Sequence, residues 1–301
     1  MPSYTFDTPE PVDLRVSNPS GSVDVSTHDR PITEITIEGD ERAIAEDVEV
    51  EQRGNQIRVK IEQQNRWGNG REYEVTIAVP AQSDARVETA SAEIHLGGTY
   101  GDVRATSASG EVHLEGADSV RIETASGEIH VEHARGDGKL NSASGDIGVE
   151  RCDGAKLEVS TASGEIHVEY AAGDLRANAA SGDISAEEVY GDFSAAVASG
   201  DVSVEYLHAG EARVETVSGD VSLGVAEGTA IWLDIHTMTG DVDVEQEMGG
   251  EPTPGQPTLQ LRANTLSGDV SVHRSERRES PAGRPEIGDE HGQHHSPAFQ
   301  D

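Results

Sequence analysis

The feature that most limits what this chain can become is a short motif that returns about every 18 residues. It reads Ala-Ser-Gly-(Asp/Glu)-(Ile/Val)-x-(Val/Leu). Its glycine position falls at Ala92, Gly110, Gly127, Gly145, Gly164, Gly182, Gly200, Gly219, Gly240 and Gly268, at intervals of 18, 17, 18, 19, 18, 18, 19, 21 and 28 residues. A fixed short period is the mark of stacked repeats, in which each unit touches only its neighbours.

Each copy holds two alternating stretches. After the Gly-acid corner comes a run such as Ile166-His167-Val168-Glu169; before the next corner comes one such as Leu175-Arg176-Ala177-Asn178. Period-two alternation predicts short strands with one buried face, and Gly173-Asp174 and Gly191-Asp192 mark turns between them. Two such strands cannot bury their apolar face alone. Coils stacked about 4.8 Å apart can, and every backbone then pairs with the coils above and below. The expected fold is therefore all-β. It is a parallel β-solenoid (β-helix) of about ten 18-residue, two-strand coils spanning 83–273, with a thin core of residues such as Leu175, Ala177, Ile184 and Ala186. Such a rod is roughly 45–50 Å long at that spacing, with right-handed crossovers as the default.

Residues 1–82 carry one further copy, Leu14-Arg15-Val16-Ser17-Asn18-Pro19-Ser20-Gly21-Ser22-Val23-Asp24-Val25, which aligns with Leu261 through Val272. Longer alternating strands follow at 32–37, 48–52, 57–62 and 72–79, with Gly54-Asn55 as a hairpin turn. This N-terminal β region, which includes Trp67 and Tyr73, is expected to cap the rod, because solenoid ends need cover. Residues 247–257 read as a loop, and 274–301, rich in Ser, Pro, Gly, Glu and His, as a disordered tail. Together the N-terminal copy, the strands after it and the Ser-Gly-acid array resemble the putative-adhesin β-strand-repeat family, a domain of unknown function, over about residues 4–273. That resemblance implies a β-helical fold and an adhesion or surface role, and it brings no catalytic residue with it.

Charge narrows the partners. With 57 acidic and 22 basic residues the formal net charge is −35, a field that repels nucleic-acid phosphates and anionic lipid. The lysines are only Lys60, Lys139 and Lys156, a Lys-poor acidic make-up that resembles the proteins of salt-accumulating haloarchaea. Cys152 stands alone, so no internal disulfide forms. The opening residues lack the basic and apolar segments of a secretion signal, and no apolar run approaches the ~20 residues of a membrane span. The expectation is a cytoplasmic protein that does not insert into membranes.

In a solenoid, equivalent outward positions stack into columns. The corner acids form one: Glu93, Glu111, Glu128, Asp146, Glu165, Asp183, Asp201, Asp220, Asp241 and Asp269. Neighbours 4.8 Å apart repel by roughly 0.9 kcal/mol even in water, so something must offset them. Bases recur four residues before each motif alanine (Arg86, Arg104, Arg121, Lys139, Arg176, Arg213, Arg262), either as charge balance or as an anion-binding strip. A third column runs His95, His113, His130, then Gly148 and His167. Stacked imidazoles beside carboxylates suit a transition metal, yet a straight ladder gives poor tetrahedral geometry, so solvated histidines are the expectation and no metal site is assigned. The serine column at every corner is read as structural, because a catalytic serine needs one dedicated base placed once.

The expected function is a non-enzymatic scaffold or adhesin-like module. It would present charged faces to an unknown protein or surface ligand, with no catalytic or cofactor-binding residue and at most diffuse cation binding. A divalent-cation-binding module is the first alternative, although Ser-Gly-Asp supplies one carboxylate per corner. A polysaccharide-active β-helix enzyme is the second; it would need a unique acid cluster and aromatic subsites. Hexapeptide acyltransferases also use 18-residue coils, but their apolar residues recur every six, whereas Leu175 and Ile184 lie nine apart.

Overall fold

A computed structural model of the chain describes residues 2–62, 71–245 and 255–275. The N-terminal elements are β1 (Ser3–Asp7), β2 (Asp13–Asn18), β3 (Gly21–His28), β4 (Ile32–Glu38), α1 (Glu41–Asp47), β5 (Val48–Arg53), β6 (Gln56–Ile61), β7 (Tyr73–Pro80) and β8 (Asp84–Thr89). The array begins with two long strands that pass from one side of the coil to the other, β9 (Glu93–Ser107) and β10 (Val112–Thr124). It continues through β11 (Ile129–Ala134), β12 (Gly138–Ser144), β13 (Ile147–Cys152), β14 (Lys156–Ser163), β15 (Ile166–Ala171) and β16 (Asp174–Ser181). Then come β17 (Ile184–Val189), β18 (Phe193–Ser199), β19 (Val202–Leu207), β20 (Gly210–Ser218), β21 (Val221–Ala226), β22 (Ala230–Thr239), β23 (Val242–Val244), β24 (Thr258–Ser267) and β25 (Val270–Ser275).

The expected period is also the pairing register. Ile166 lies opposite Ile147 and Ile184 in parallel neighbours, and Leu175 lies opposite Leu157 and Phe193. Inward positions such as Leu175, Ala177, Ile184 and Ala186 are buried, and their outward neighbours carry the charge. The corner glycine is a packing requirement. At Gly182, with φ +130°, an added Cβ would sit 2.0 Å from the carbonyl oxygen of Gly164 one level away.

Sequence order and stacking order part company at both ends. The strands that precede each corner form one parallel ladder, β6-β2-β8-β9-β10-β12-β14-β16-β18-β20-β24-β22. Those that follow it form a second, β7-β3-β9-β10-β11-β13-β15-β17-β19-β21-β25-β23. The N-terminal copy β2/β3 is thus the penultimate level at one end, and β24/β25, the copy it aligns with, is the penultimate level at the other. Gly219 pairs onward with the Gly268 level, and the Gly240 level lies outside both.

The N-terminal end is plugged, as expected, but with an element the alternation does not announce. After β4, Asp40 caps a short helix by accepting the amides of Arg42 and Ala43, and α1 lays buried Ala43 and Ile44 on the core. Outside it, β4 pairs antiparallel with β7, β1 with β4, and β5 with β6, the last through the expected Gly54-Asn55 turn. Buried Tyr73 donates its hydroxyl to Asp47 at 2.7 Å, and Arg71 reaches the same oxygen at 3.1 Å. Burial first, and the Asp47 carboxylate second, push the Tyr73 phenol up to about 12. The final strand runs to Ser275, two residues past the expected end of the array at residue 273. Trp67, most of the 247–257 loop and the tail beyond Ser275 lie outside the described residues.

Candidate functional site

The two ladders present chemically different outer faces. On the first, the basic column is balanced by acids of its own face, not by the corner acids. Arg121 meets Glu123 at 2.6 Å, Arg213 meets Glu215 at 2.7 Å, Lys139 meets Glu158 at 3.1 Å and Arg262 meets Asp234 at 3.1 Å. Hydrogen bonds from Lys156 and Lys139 hold the Glu158 carboxyl down at about 2. Four of the seven bases of the column are thus paired with acids of the same face, which supports charge balance over an anion-binding strip.

The second ladder carries the corner acids, and the structure shows what offsets part of them. Each corner aspartate except Asp241, on the terminal level, accepts the backbone N–H of the corner residue on the next level. Asp183 takes Asp201, Asp201 takes Asp220, Asp220 takes Asp269 and Asp269 takes Asp241, at 2.7–2.8 Å; Asp146 likewise takes Glu165 at 2.8 Å. The opposite corner repeats the device through Asp174 to Asp192 and Asp192 to Glu211. A carboxylate that accepts an N–H gains a charge-assisted bond, and the amide dipole offsets the neighbouring acid. Among the described residues, no corner glutamate accepts in this way.

Hydroxyls of the serine column bond to backbone carbonyls, and the bonds run between levels. Ser109 donates to the carbonyl of Ala90 at 3.3 Å and Ser126 to that of Ala108 at 3.2 Å. A second hydroxyl column, which the sequence reading passed over, is buried beneath it. Ser107 accepts the amide of Gly110 at 2.8 Å and Thr124 that of Gly127 at 2.9 Å, fixing the corner from inside. Its sequence signal is the Ser or Thr three before the corner position, present in eight of the ten copies and replaced by Ala179 and Val197 in the other two.

The histidines form an ordered stack. The rings of His95 and His113 lie 4.9 Å apart and those of His113 and His130 5.1 Å apart, each pair inclined by 13°. His113 Nε2 meets Glu132 at 3.1 Å and His130 Nε2 meets Glu150 at 3.3 Å, so acids of the following level close over the rings. Ligand atoms of His113, His130 and Glu132 fall within 4.8 Å of one another. At its upper end the stack continues onto Asp24, opposite His95 in register although 71 residues away, and a shallow cleft opens there between Asp24, Thr27, Thr76, His95 and Glu115. Below, Gly148 interrupts it and His167 bonds Ser185 at 2.8 Å instead.

The model of the Toastrack DUF4097 family matches residues 12–273, the whole solenoid with its N-terminal copy. The chain belongs to that family. No curated protein matches this Toastrack chain. Among solved structures it is similar to a putative adhesin from Bacteroides fragilis, at 14% identity, with 90% of this chain and 96% of that one covered and a TM-score of 0.37. A putative lipid binding protein from Parabacteroides distasonis gives 12% identity, 90% and 96% coverage and a TM-score of 0.38. A putative adhesin from the same organism gives 15%, 90%, 96% and 0.38.

Aromatic side chains, too sparse in the sequence to suggest a cluster, nonetheless gather at one turn of the Toastrack rod. Arg151 lies 4.3 Å over the Tyr170 ring, Tyr170 lies 5.5 Å from Tyr190, and Tyr190 stacks on His208 at 3.9 Å. Glu188, almost buried, bonds both Tyr190 and His208. Tyr190 and His208 cover each other's faces and Arg151 covers one face of Tyr170, so the cluster braces the turn.

Proposed function

We propose that this Toastrack chain is a non-enzymatic binding scaffold, and that its recognition surface is the acid–histidine–acid face between Glu93 and Glu150. The observation that carries the reading is the division of labour among corner acids. Where the corner is aspartate, the carboxylate is engaged by the backbone of the next level. At Glu93, Glu111 and Glu128 it is not, and the stacked histidines stand beside those three glutamates. A face with carboxylates on both sides of three imidazoles, on a chain of net charge −35, selects a positively charged ligand. Acids, serines and histidines recur from level to level, so no nucleophile with its own base and orienter is set apart from the rest.

The test compares two patches of equal charge. E111Q/E128Q together with H113Q/H130Q should abolish binding of an oligolysine peptide at moderate salt, whereas D201N/D220N, which removes the same two charges, should leave most of it. Equal losses from both sets would mean that the peptide reads bulk charge, and the assignment of the face would be withdrawn.

One observation favours the cation-binding reading within the same face, the convergence of His113, His130 and Glu132. Two imidazoles and a carboxylate suit a borderline divalent ion such as Zn²⁺ or Ni²⁺, and both side chains on the stack are more than a third exposed and able to turn. Calorimetric titration of the full chain with Zn²⁺ should lose one site in H113Q/H130Q and show no such site for Mg²⁺. An unchanged Zn²⁺ isotherm would place any metal elsewhere.

A further inference from the structure

The two ends of the rod are finished differently, and the unfinished one is built to meet a partner. On the terminal level β22/β23 the inward positions are Leu233, Ile235, Val242 and Val244, opposite Leu261, Ala263, Val270 and Val272 of the level beneath. The four beneath are buried. The four on the end are not: Leu233 is 39% exposed and Val242 46%, against 0% for Leu261. The apolar interior is therefore open here, and the outer backbone edges of β22 and β23 extend both ladders with no further strand among the described residues.

A ridge adjoins this opening. Val217, Leu266 and Met238 occupy the same corner position on three consecutive levels, at 52%, 50% and 77% exposed, and Trp232, 65% exposed, stands six residues back along β22. Of the seven large apolar side chains exposed among the described residues, these four with Leu233 and Val242 make six; Tyr190 is the seventh. On a chain this acidic, such a concentration marks a contact surface, and paired unsatisfied edges mark a strand-addition site.

We infer that this end is an interface between two copies of the chain, joined end to end about a two-fold axis. The geometry follows from the coil itself. An axis perpendicular to both ladders lays β22 on β22 of the other copy and β23 on its own counterpart. Both pairings are antiparallel, and every inward side chain stays facing inward. This is the closure the chain already uses at its other end, where β4 covers β7 and β5 covers β6 in antiparallel pairs. Isologous contacts must be self-complementary, and β22 is. With Ile235 at the centre, Asp234 of each copy faces His236 of the other, Trp232 faces Met238, and Ile235 meets itself. Within one copy Asp234 and His236 already lie 3.0 Å apart, so pairing places two such couples side by side. Strands of ten and three residues in sheets about 10 Å apart, with outward side chains included, give an end face of roughly 400 Å² per copy, the size of a weak, transient contact. A reversible dimer follows. Asp241 and Asp243 lie on this level, so salt should tighten the pairing by screening them.

The experiment is sedimentation of the full chain over two decades of concentration, in low and molar KCl. The expected result is a reversible monomer–dimer equilibrium that shifts to dimer in salt and weakens at least tenfold in W232E and in M238E, both outward positions that leave the coil folded by circular dichroism. An Asp234→Cys/His236→Cys variant should form a disulfide-linked dimer on mild oxidation, native Cys152 being buried. A chain that stays monomeric throughout would overturn the inference, whether or not the β22 amides are protected from exchange. A dimer indifferent to W232E and M238E would place association elsewhere and overturn it equally.

Discussion

Along the outer face of the second ladder the same motif is used in two ways. From Glu93 to Glu128 the corner acid is glutamate, the position two residues on is histidine, and the carboxylate takes no backbone N–H of the next level. From Asp183 to Asp241 the corner acid is aspartate, the position two on is serine or aspartate, and successive carboxylates are strung on successive amides. The inward faces of the two halves do not differ in kind: Ile129 and Val131 occupy the same places as Ile184 and Ala186 and are equally buried. One methylene thus separates a structural column from a column available to ligand. The core sets the repeat, while the choice between Asp and Glu sets what each level offers to solvent.

If the halves share one core, an inward substitution in either should be equally severe. Ile129→Asp and Ile184→Asp each bury an unpaired charge where no partner exists, and loss of the cooperative transition, or at least about 4 kcal/mol, is expected in chemical denaturation of both. His167→Ser, by contrast, places on one level the residue already present at Ser185 and should change stability by under about 0.5 kcal/mol. A tolerated Ile184→Asp would show that the Asp half is not packed as the Glu half is.

Much of this was legible before any coordinates. The intervals near 18 fix the register, and alternation fixes which side chains point inward, because a one-residue slip would expose every one of them. The ends were not legible in the same way. The intervals of 21 and 28 after Gly219 sum to the 49-residue step by which Asp269 donates to Asp220. They signal a level skipped and then revisited, but a lengthened interval reads equally well as a loop insertion. The helix α1 hides in a stretch, Glu41–Asp47, too short for helical periodicity to show. The histidine column could be listed from the sequence, whereas Asp24 could not be added to it, because only the out-of-order stacking of β3 against β9 brings it there. The backbone role of the aspartates was invisible because repulsion between stacked acids is a property of spacing, and its remedy depends on where an N–H points.

Salt should separate the halves next. Folding sets corner acids about 5 Å apart. At 0.1 M salt the Debye length is about 10 Å and adjacent levels still repel; at 1 M it is about 3 Å and most of the repulsion is screened. The thermal midpoint should climb by several degrees between low and molar KCl. The glutamate half should account for more of that climb, because its column has no amide between successive carboxylates. E111Q/E128Q should therefore raise the low-salt midpoint and flatten its salt dependence, while D201N/D220N should lower it. A midpoint that is flat in the native chain would mean the columns are already neutralised.

The smallest effect is the most specific. Glu111→Asp shortens one corner side chain by a methylene and brings its Oδ1 to where Asp201 holds the amide of Asp220, so it should capture the N–H of Glu128. A charge-assisted bond to a solvent-accessible amide contributes about 0.5–1 kcal/mol after the exchange with water, and in a chain of this size that is about 1–3 °C in the thermal midpoint. The reverse swap, Asp201→Glu, lengthens the side chain past the amide of Asp220, loses the bond, and should lower the midpoint by a similar amount. Charge is conserved in both variants, so neither shift can come from relieved repulsion, and the unchanged far-ultraviolet spectrum of each would confirm that the coil itself is intact. Opposite signs from the two swaps, read by differential scanning calorimetry at fixed salt, are what the division between the halves requires. If both swaps destabilise, glutamate at Glu111 is held by packing of its own, and the corner carboxylates of that half are not free for a ligand.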